Sequence, residues 1–388
     1  MKEALIVSAL AGFVKSFLIN DIHLLQKHGF HVTCAANANH PGADGVLAFF
    51  ESEGVDFVQI DFSSNRPFSN ETFSSFWQLK SLFKCKSFDL VHCHTPIAGA
   101  LCRIACRRLR KAGTKVIYTT HGFYFHKSGD FKSWALFYPI EWLCSGFCDA
   151  IVTINSEDFT VAKRMRCRKV FHMNGMGVDI DRFWKNDVDC TAIRSGLDIS
   201  PNDIVVLSVG ELSKRKNQKI VVEALSLLHR PDVVLLHCGN AMNDLNTKDE
   251  VLQAAKSGGV RLLMLGLRSD VPDLCKIADI GTLSSTREGL GLAGIEMLAS
   301  GLPLVASSVH GIKDYVKDGV NGYLANPYDA RSFARGIEKL FDPATRAGMK
   351  DVCHDSVKSY DVSITRKQLA GIYDAMFPNE GFLLMGDD

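Results

Sequence analysis

The chain has 388 residues, which at about 150 residues per domain is room for two large domains. Apolar residues make up 46% and charged residues 22%, a balance that fills more than one core and excludes a largely disordered chain. With 44 Lys plus Arg against 43 Asp plus Glu, the formal net charge of +1 excludes a dedicated nucleic-acid binder. The charge is uneven, however. Residues 1–180 hold 20 basic and 15 acidic side chains, whereas 181–388 hold 24 and 28, so the first half is the one expected to meet something anionic.

In chain order, an apolar run at 4–9 precedes a helical pattern over 13–27 that ends at Gly29. Further apolar runs fall at 31–36, 55–60, 90–94, 115–120, 150–154 and 170–173, with amphipathic stretches between most of them. This alternation predicts β-α-β units and a mainly parallel sheet covered on both faces. The rhythm weakens over 174–189, a stretch rich in Gly and Asp, and the domain boundary is placed there. One domain then covers 1–178 and the other 179–388, with the last helix able to pack back on the first domain. The rhythm restarts at 204–209, 233–238, 260–265, 280–284 and 304–307, and helical stretches near 330–341 and 343–375 close the chain. The predicted fold class is α/β, two doubly wound Rossmann-like domains facing each other across a cleft.

No apolar run approaches the ~18 residues of a membrane-spanning helix. Residues 1–10 lack the apolar length and the cleavage site of a signal peptide. The expected location is the cytoplasm, with the 12 Cys mostly reduced and buried. His92-Cys93-His94 ends a strand candidate, but no paired C-x-x-C spacing accompanies it, so no zinc site is expected.

Ligands of doubly wound sheets bind outside the carboxyl ends of the strands. That rule selects the loops holding Gly12, His121, residues 211–217, 239–240, 266–270 and 285–291. The sharpest is 284–301, where a strand ends, Gly289 and Gly291 uncover backbone N–H groups, and a helix starts near Leu290. A helix N-terminus with exposed amides suits a diphosphate. Glu296 then lies within that helix, where it could accept from a diol, and Glu288 precedes it, where it could bind sugar hydroxyls. Taken alone, both acids also fit an ordinary acidic helix start. Residues 209–217 follow another strand; Arg215 or Lys216 could neutralise phosphate oxygens, or simply form a solvated basic turn. His121 follows a buried strand and precedes Gly122.

Together these segments resemble the retaining glycosyltransferases of family 4, which have the GT-B fold, and especially the bacterial members that build exopolysaccharide or capsule. The likeness runs through the Gly12 loop, Asp89-Leu90-Val91-His92-Cys93-His94, Thr120-His121-Gly122, Asn174-Gly175, Gly177-Val178-Asp179, the 210–217 loop, Cys238-Gly239, the Glu288-x7-Glu296 segment and residues 319–324. It implies that Glu288 contacts the donor sugar, that the backbone of Gly289, Leu290, Gly291 and Leu292 holds the diphosphate, and that Glu296 binds the ribose. Lys216 would stabilise the departing nucleoside diphosphate, Leu267 and Arg268 would flank the base, and His121 would face the donor sugar. Many members carry Arg directly after the glycine matching Gly210; here it is Glu211, and Arg215 is expected to supply the charge. The first loop has Gly12 alone rather than a glycine pair. Asp179-Ile180-Asp181 and Asp187-Val188-Asp189 mimic a metal-binding D-x-D but lie in the interdomain stretch, so they are read as helix caps or loop acids. No metal or other cofactor is expected.

The resemblance implies a nucleotide-sugar donor, most simply a UDP-sugar, and a glycan or polyprenyl-diphosphate-linked acceptor, with retention at the anomeric carbon. Arg103, Arg107, Arg108, Arg110 and Lys111 form one basic run and residues 163–169 another. Between them lie Phe123, Tyr124, Phe125, Phe131, Trp134, Phe137, Tyr138, Trp142 and Phe147. This is either a charged helix face over core aromatics or a surface for peripheral contact with the inner face of an anionic membrane. Rival readings are a nucleotide-sugar epimerase or hydrolase and a non-catalytic nucleotide-sugar-binding protein. A nicotinamide oxidoreductase fails because residues 9–13 lack G-x-G-x-x-G.

Overall fold

Seven strands of the first half form one sheet: β1 (Lys2–Leu10), β2 (Phe30–Asn37), β3 (Asp56–Gln59), β4 (Leu90–His94), β5 (Lys115–Thr120), β6 (Ala150–Thr153) and β7 (Lys169–His172). Their spatial order is β3-β2-β1-β4-β5-β6-β7 and every pairing is parallel. The strands read as continuous apolar runs because helices cover both faces. Ile6, Val32, Ile117 and Val152 pack into one layer, and Leu5, Val7, Val91, Val116 and Ile151 into the other. This is a computed structural model, and it describes residues 1–382 apart from 41–42, 64–65, 128, 130, 242–244 and 379.

A second parallel sheet follows: β8 (Ile204–Val209), β9 (Val233–Cys238), β10 (Arg261–Gly266), β11 (Ile280–Leu283), β12 (Leu304–Ser307) and β13 (Gly322–Ala325). Its order is β10-β9-β8-β11-β12-β13. β13 is absent from the predicted elements. It passes so close to β12 that a Cβ at Gly322 would lie 2.2 Å from the Leu304 carbonyl oxygen.

The chain divides into two compact units, Gly177–Val362 and Met1–Met176 joined by the chain from Ser363 onward. The expected boundary after Val178 falls two residues from this division, but 179–388 is not one unit. The helix Val362–Met376 places Leu369, Ala370, Ile372, Tyr373 and Met376 in the first unit's core, an apolar stripe at helical spacing.

Three further expectations need correction. The helical pattern over 13–27 is two helices, Ala11–Phe17 and Ile19–Lys27, broken where Leu18 takes φ −114° and ψ 12°. Gly12 therefore sits in a helical turn that follows β1 directly, not in a glycine-rich loop. Arg103 does not join the basic surface either. It is fully buried, donates from a guanidinium NH2 to Glu141 at 2.7 Å and from Nε to the Gly99 carbonyl at 2.9 Å, and lies 3.8 Å over the Tyr118 ring.

Most cysteines are buried and all are free. Among the described residues no helix is long and apolar enough to cross a membrane. Asp179 and Asp189 are helix caps, accepting from the backbone N–H of Arg182 and Ala192 at 3.0 Å each. Asp181 pairs with Lys185 at 2.7 Å.

Candidate functional site

In the second unit the chain order reverses between β8 and β11, and loops 210–217 and 284–291 emerge side by side at that switch point. They are tied together. The Thr286 N–H donates to the Arg215 carbonyl at 2.8 Å, and the Ser284 hydroxyl donates to the Lys216 carbonyl at 2.8 Å. The neighbouring strand ends close in behind them, with the Gly210 N–H on the Cys238 carbonyl at 2.9 Å and the Gly239 N–H on the Gly266 carbonyl at 2.7 Å. Gly239 takes φ +145°, and a Cβ there would lie 2.0 Å from the Gly210 oxygen, so only glycine fits.

Glu288 is the centre of this arrangement. Its Oε2 accepts from Lys216 Nζ at 2.8 Å, from the Ser285 hydroxyl at 2.8 Å and from an Arg215 NH1 at 3.2 Å. Burial alone would raise its pKa, but the Lys216 and Arg215 charges and the Lys216 and Ser285 hydrogen bonds outweigh it and hold the carboxyl below its ordinary value. The geometry thus gathers Arg215, Lys216 and Glu288, three of the residues expected to act together. Lys216 is 15% exposed and Arg215 39%, so both cations keep an open side.

Next to this knot the helix Leu292–Ala299 begins, two residues later than expected. Gly291, at φ +81°, is its N-cap and offers no side chain to the first amides, so those of Leu292 and Ala293 have no side-chain cap. The Tyr315 hydroxyl donates to the Gly291 carbonyl at 3.0 Å and braces the turn. A Cβ at Gly291 would come within 2.9 Å of Glu288 Cγ. Leu290 is buried and anchors the loop, whereas Gly289 is half-buried. These amides and the positive end of the helix dipole make an anion site beside two cations.

Glu296 is half-buried on the same helix, and no described residue donates to its carboxylate. Burial raises its pKa, only partly opposed by the Arg182 charge. Such a carboxylate is short of donors and suits a pair of hydroxyls. Leu267 is 84% exposed, as a base-flanking residue would be, but Arg268 is not free: its Nε donates to Asp270 at 2.7 Å.

His121 belongs to the first unit, at the carboxyl end of β5. It is half-buried, edge-on to Phe13 with ring centroids 4.8 Å apart, and its Nε2 lies 3.1 Å from His94 Nδ1. Behind it, the His94 and His92 rings lie 4.2 Å apart and tilted by 35°, and His92 bonds Tyr373 at 3.0 Å and Thr119 at 2.8 Å. Burial lowers the His121 pKa to about 4 and that of His92 to about 3, and raises that of Asp21 to about 7. Asp21, His92 and His94 are the right residue types for a divalent cation and lie close enough together. Both His92 nitrogens are already engaged, however, by Tyr373 and Thr119.

Sequence reasoning missed Ser285 and Tyr315. Ser285 precedes Glu288 by one turn, a spacing that could have marked it. Tyr315 is brought in from a separate short helix and left no local signal.

Two family patterns match the chain: "Glycosyltransferase Family 4" over residues 18–182 and "Glycosyl transferases group 1" over 189–350. EpsD of Bacillus subtilis (strain 168), provisionally named a glycosyltransferase, is 32% identical over 318 residues, covering 80% of this chain and 82% of EpsD. The UDP-Gal:alpha-D-GlcNAc-diphosphoundecaprenol alpha-1,3-galactosyltransferase of Escherichia coli is 30% identical over 300 residues, covering 72% and 73%. Among solved structures, Anabaena HepE in complex with UDP and glucose superposes with a TM-score of 0.75 at 18% identity, covering 97% of this chain and all of HepE. Sucrose-phosphate synthase from Thermosynechococcus elongatus does so with 0.78 at 16%. The two doubly wound sheets are those of the GT-B fold, and the chain belongs to the family 4 glycosyltransferases.

Proposed function

We propose that this glycosyltransferase moves a sugar from a UDP-sugar to a hydroxyl of a glycan or polyprenyl-diphosphate-linked saccharide in cell-surface polysaccharide synthesis, with retention and without a metal. The observation that carries the reading is the Arg215–Lys216–Glu288 knot beside the uncapped start of the helix Leu292–Ala299. As the bond from the anomeric carbon to UDP breaks, negative charge gathers on the diphosphate. Lys216, Arg215 and the helix amides are already oriented to meet it, and preorganised charge of this kind lowers the barrier most. The acceptor hydroxyl attacks from the face the diphosphate leaves, and its proton passes to a phosphate oxygen. Glu288 orients the sugar, and Glu296 takes the ribose hydroxyls. The role of His121 in the transfer rests on its motif. The relatives support the donor and acceptor classes: one is named for a UDP-sugar and a diphosphoundecaprenol-linked acceptor, and another was crystallised with UDP and glucose. A polyprenyl acceptor places the enzyme at the inner membrane face, in keeping with the basic first half of the chain.

The test follows UDP release with and without a polyprenyl-diphosphate-linked acceptor and reads the anomeric configuration of the product by NMR. Acceptor-dependent release with retained configuration is expected. UDP release at full rate without acceptor would make the protein a hydrolase instead, and conversion of the donor to an isomeric UDP-sugar would make it an epimerase.

A further inference from the structure

At the end of the first sheet opposite His121 lies a cavity of about 490 Å³ that the transfer reaction does not use. It opens where β5, β6 and β7 begin. Strands of four to six residues rise about 3.3 Å per residue, so the cavity is roughly 13–20 Å from the carboxyl-end loops. Five cations line it, Arg110, Lys115, Arg166, Arg168 and Lys169, against a single carboxylate, Asp149. Asp149 is already taken by Arg110 at 2.9 Å. Lys169 is turned toward the Ala375 carbonyl at 2.7 Å, while Lys115, Arg166 and Arg168 make no ion pair with any described residue. A concave cluster of like charges repels itself and concentrates anions. The chain order helps to build it: Arg110 lies in the last turn of a short helix, Lys115 opens β5, and the alternation Arg166-Cys167-Arg168 buries the cysteine and turns both arginines outward.

An exposed aromatic ring stands beside one of these cations. The Arg166 guanidinium lies 5.1 Å over the Trp142 ring, and Trp142 and Leu143 are 42% and 47% exposed on the helix Phe131–Cys144. A site for a free soluble anion has no need of an exposed indole beside its cations. A bilayer surface does, because a tryptophan sits at headgroup level while cations reach the phosphates.

We propose that this pocket receives the phosphate of an anionic phospholipid headgroup and, with Trp142 and Leu143, docks the first unit on the membrane. The inference rests on the reading of the enzyme as one that acts at a membrane surface, and it names the surface and the chemistry that would hold it there. Arg166 and Arg168 would meet the phosphate, and Lys115 would line its seat.

The experiment measures cosedimentation of the full chain with phosphatidylcholine vesicles, with and without phosphatidylglycerol. Parallel thermal-shift measurements use inorganic phosphate and UDP. Wild type is expected to bind only the phosphatidylglycerol vesicles. The R166E/R168E variant should lose about tenfold or more in affinity, given the contribution of each basic side chain near an anionic surface. The K248E/K256E variant, with the same charge change at exposed positions of the second unit, should bind like wild type. Equal binding by R166E/R168E and wild type, or binding indifferent to phosphatidylglycerol, would overturn the proposal. So would stabilisation of wild type by inorganic phosphate without vesicle binding, which would make the pocket a site for a soluble anion. UDP should stabilise all three proteins alike. Its failure to stabilise wild type would remove the donor reading, and the vesicle result would still decide the pocket.

Discussion

Each unit of the molecule contains a glutamate held by an arginine or lysine, and the two could hardly be used more differently. Glu141 in the first unit accepts from Arg103 at 2.7 Å and from the Tyr118 hydroxyl at 3.1 Å, in a place where Arg103 has no exposed surface. Glu288 in the second unit accepts from Lys216, Arg215 and Ser285, but its cations keep an open side and it stands where β8 and β11 part. The first pair is sealed between helices and sheet; no ligand can exchange with it. The second lies beside uncapped helix amides, where an incoming diphosphate can compete for the same cations. Ion pairing therefore does not mark a site by itself. Position at the carboxyl ends of the strands, with one side left open, does.

The comparison predicts opposite phenotypes. Glu141→Ala leaves Arg103 buried and unpaired, a cost of about 3–5 kcal/mol. At 2–4 °C per kcal/mol for a domain of this size, Tm should fall by roughly 6–20 °C. UDP should still stabilise whatever remains folded. The double variant Arg103→Met/Glu141→Leu should recover much of the loss, since a packed apolar pair replaces the buried charges without leaving one of them alone. No recovery would mean that the pair does more than fill and neutralise. Lys216→Ala should do the reverse, cutting kcat by about 10²–10³, the usual effect of removing one preorganised charge partner of a transition state. Its Tm should barely change, because Arg215 and Ser285 still hold Glu288. Arg215→Ala should lose less, about tenfold in kcat/KM, since its guanidinium is more exposed and screened by solvent. An unchanged kcat/KM would show that Arg215 does not supply the charge missing at Glu211.

This contrast also explains how much was legible in the residues alone. The strands were, apart from β13, because a buried parallel strand is a short apolar run and depends on nothing distant. The loops of the second unit were too, since glycines, a lysine and two glutamates fall within short stretches directly after strands. What required distant partners was not. Arg103 looks like its neighbours Arg107 and Arg108 on a basic helix, and only Glu141, 38 residues away, tells it apart. The helix Val362–Met376 carries the apolar stripe of any covering helix; nothing local says which unit it covers. Arg268 seemed available until Asp270 was seen to hold it. Gly12 sits in a helix because β1 runs straight into that helix, with no loop residues between Leu10 and Ala11 to hold a phosphate.

A smaller effect separates the two glutamates of the site itself. Glu288 is held below the ordinary carboxyl pKa and Glu296 above it. As pH falls, Glu296 takes up its proton first while Glu288 stays ionised, and in its proposed role Glu296 then loses its value as an acceptor for ribose hydroxyls. The KM for the donor should therefore rise on the acid side before kcat does, and Glu296→Gln should abolish that rise. At neutral pH the variant should lose about 10–100-fold in donor affinity, the range for a hydrogen bond to a charged group. Its stability should move the other way. A carboxyl whose native pKa is raised destabilises the fold once it is ionised, so removing the charge should leave Tm equal or higher above neutral pH and make no difference below the unfolded value. A lower Tm in Glu296→Gln would mean that the carboxylate has a structural partner.

The smallest expected effect is none at all, and it bears on both units. In the second, the proposed mechanism meets the diphosphate with the charge of Lys216, Arg215 and helix amides, so EDTA should leave the transfer rate unchanged. Loss of activity in EDTA with rescue by Mg²⁺ would mean that these cations serve Glu288 rather than the diphosphate. In the first unit, Asp21, His92 and His94 form a chain with Tyr373, Thr119 and His121 in which burial keeps the histidines neutral and favours the protonated carboxyl. A neutral chain of this kind needs no ion to balance its charge, and Tm should be the same with and without chelator. A drop in Tm upon chelation, reversed by Zn²⁺, would turn these imidazoles into ligands and set the two units apart in a different way: one would carry its charge on side chains and the other on a metal.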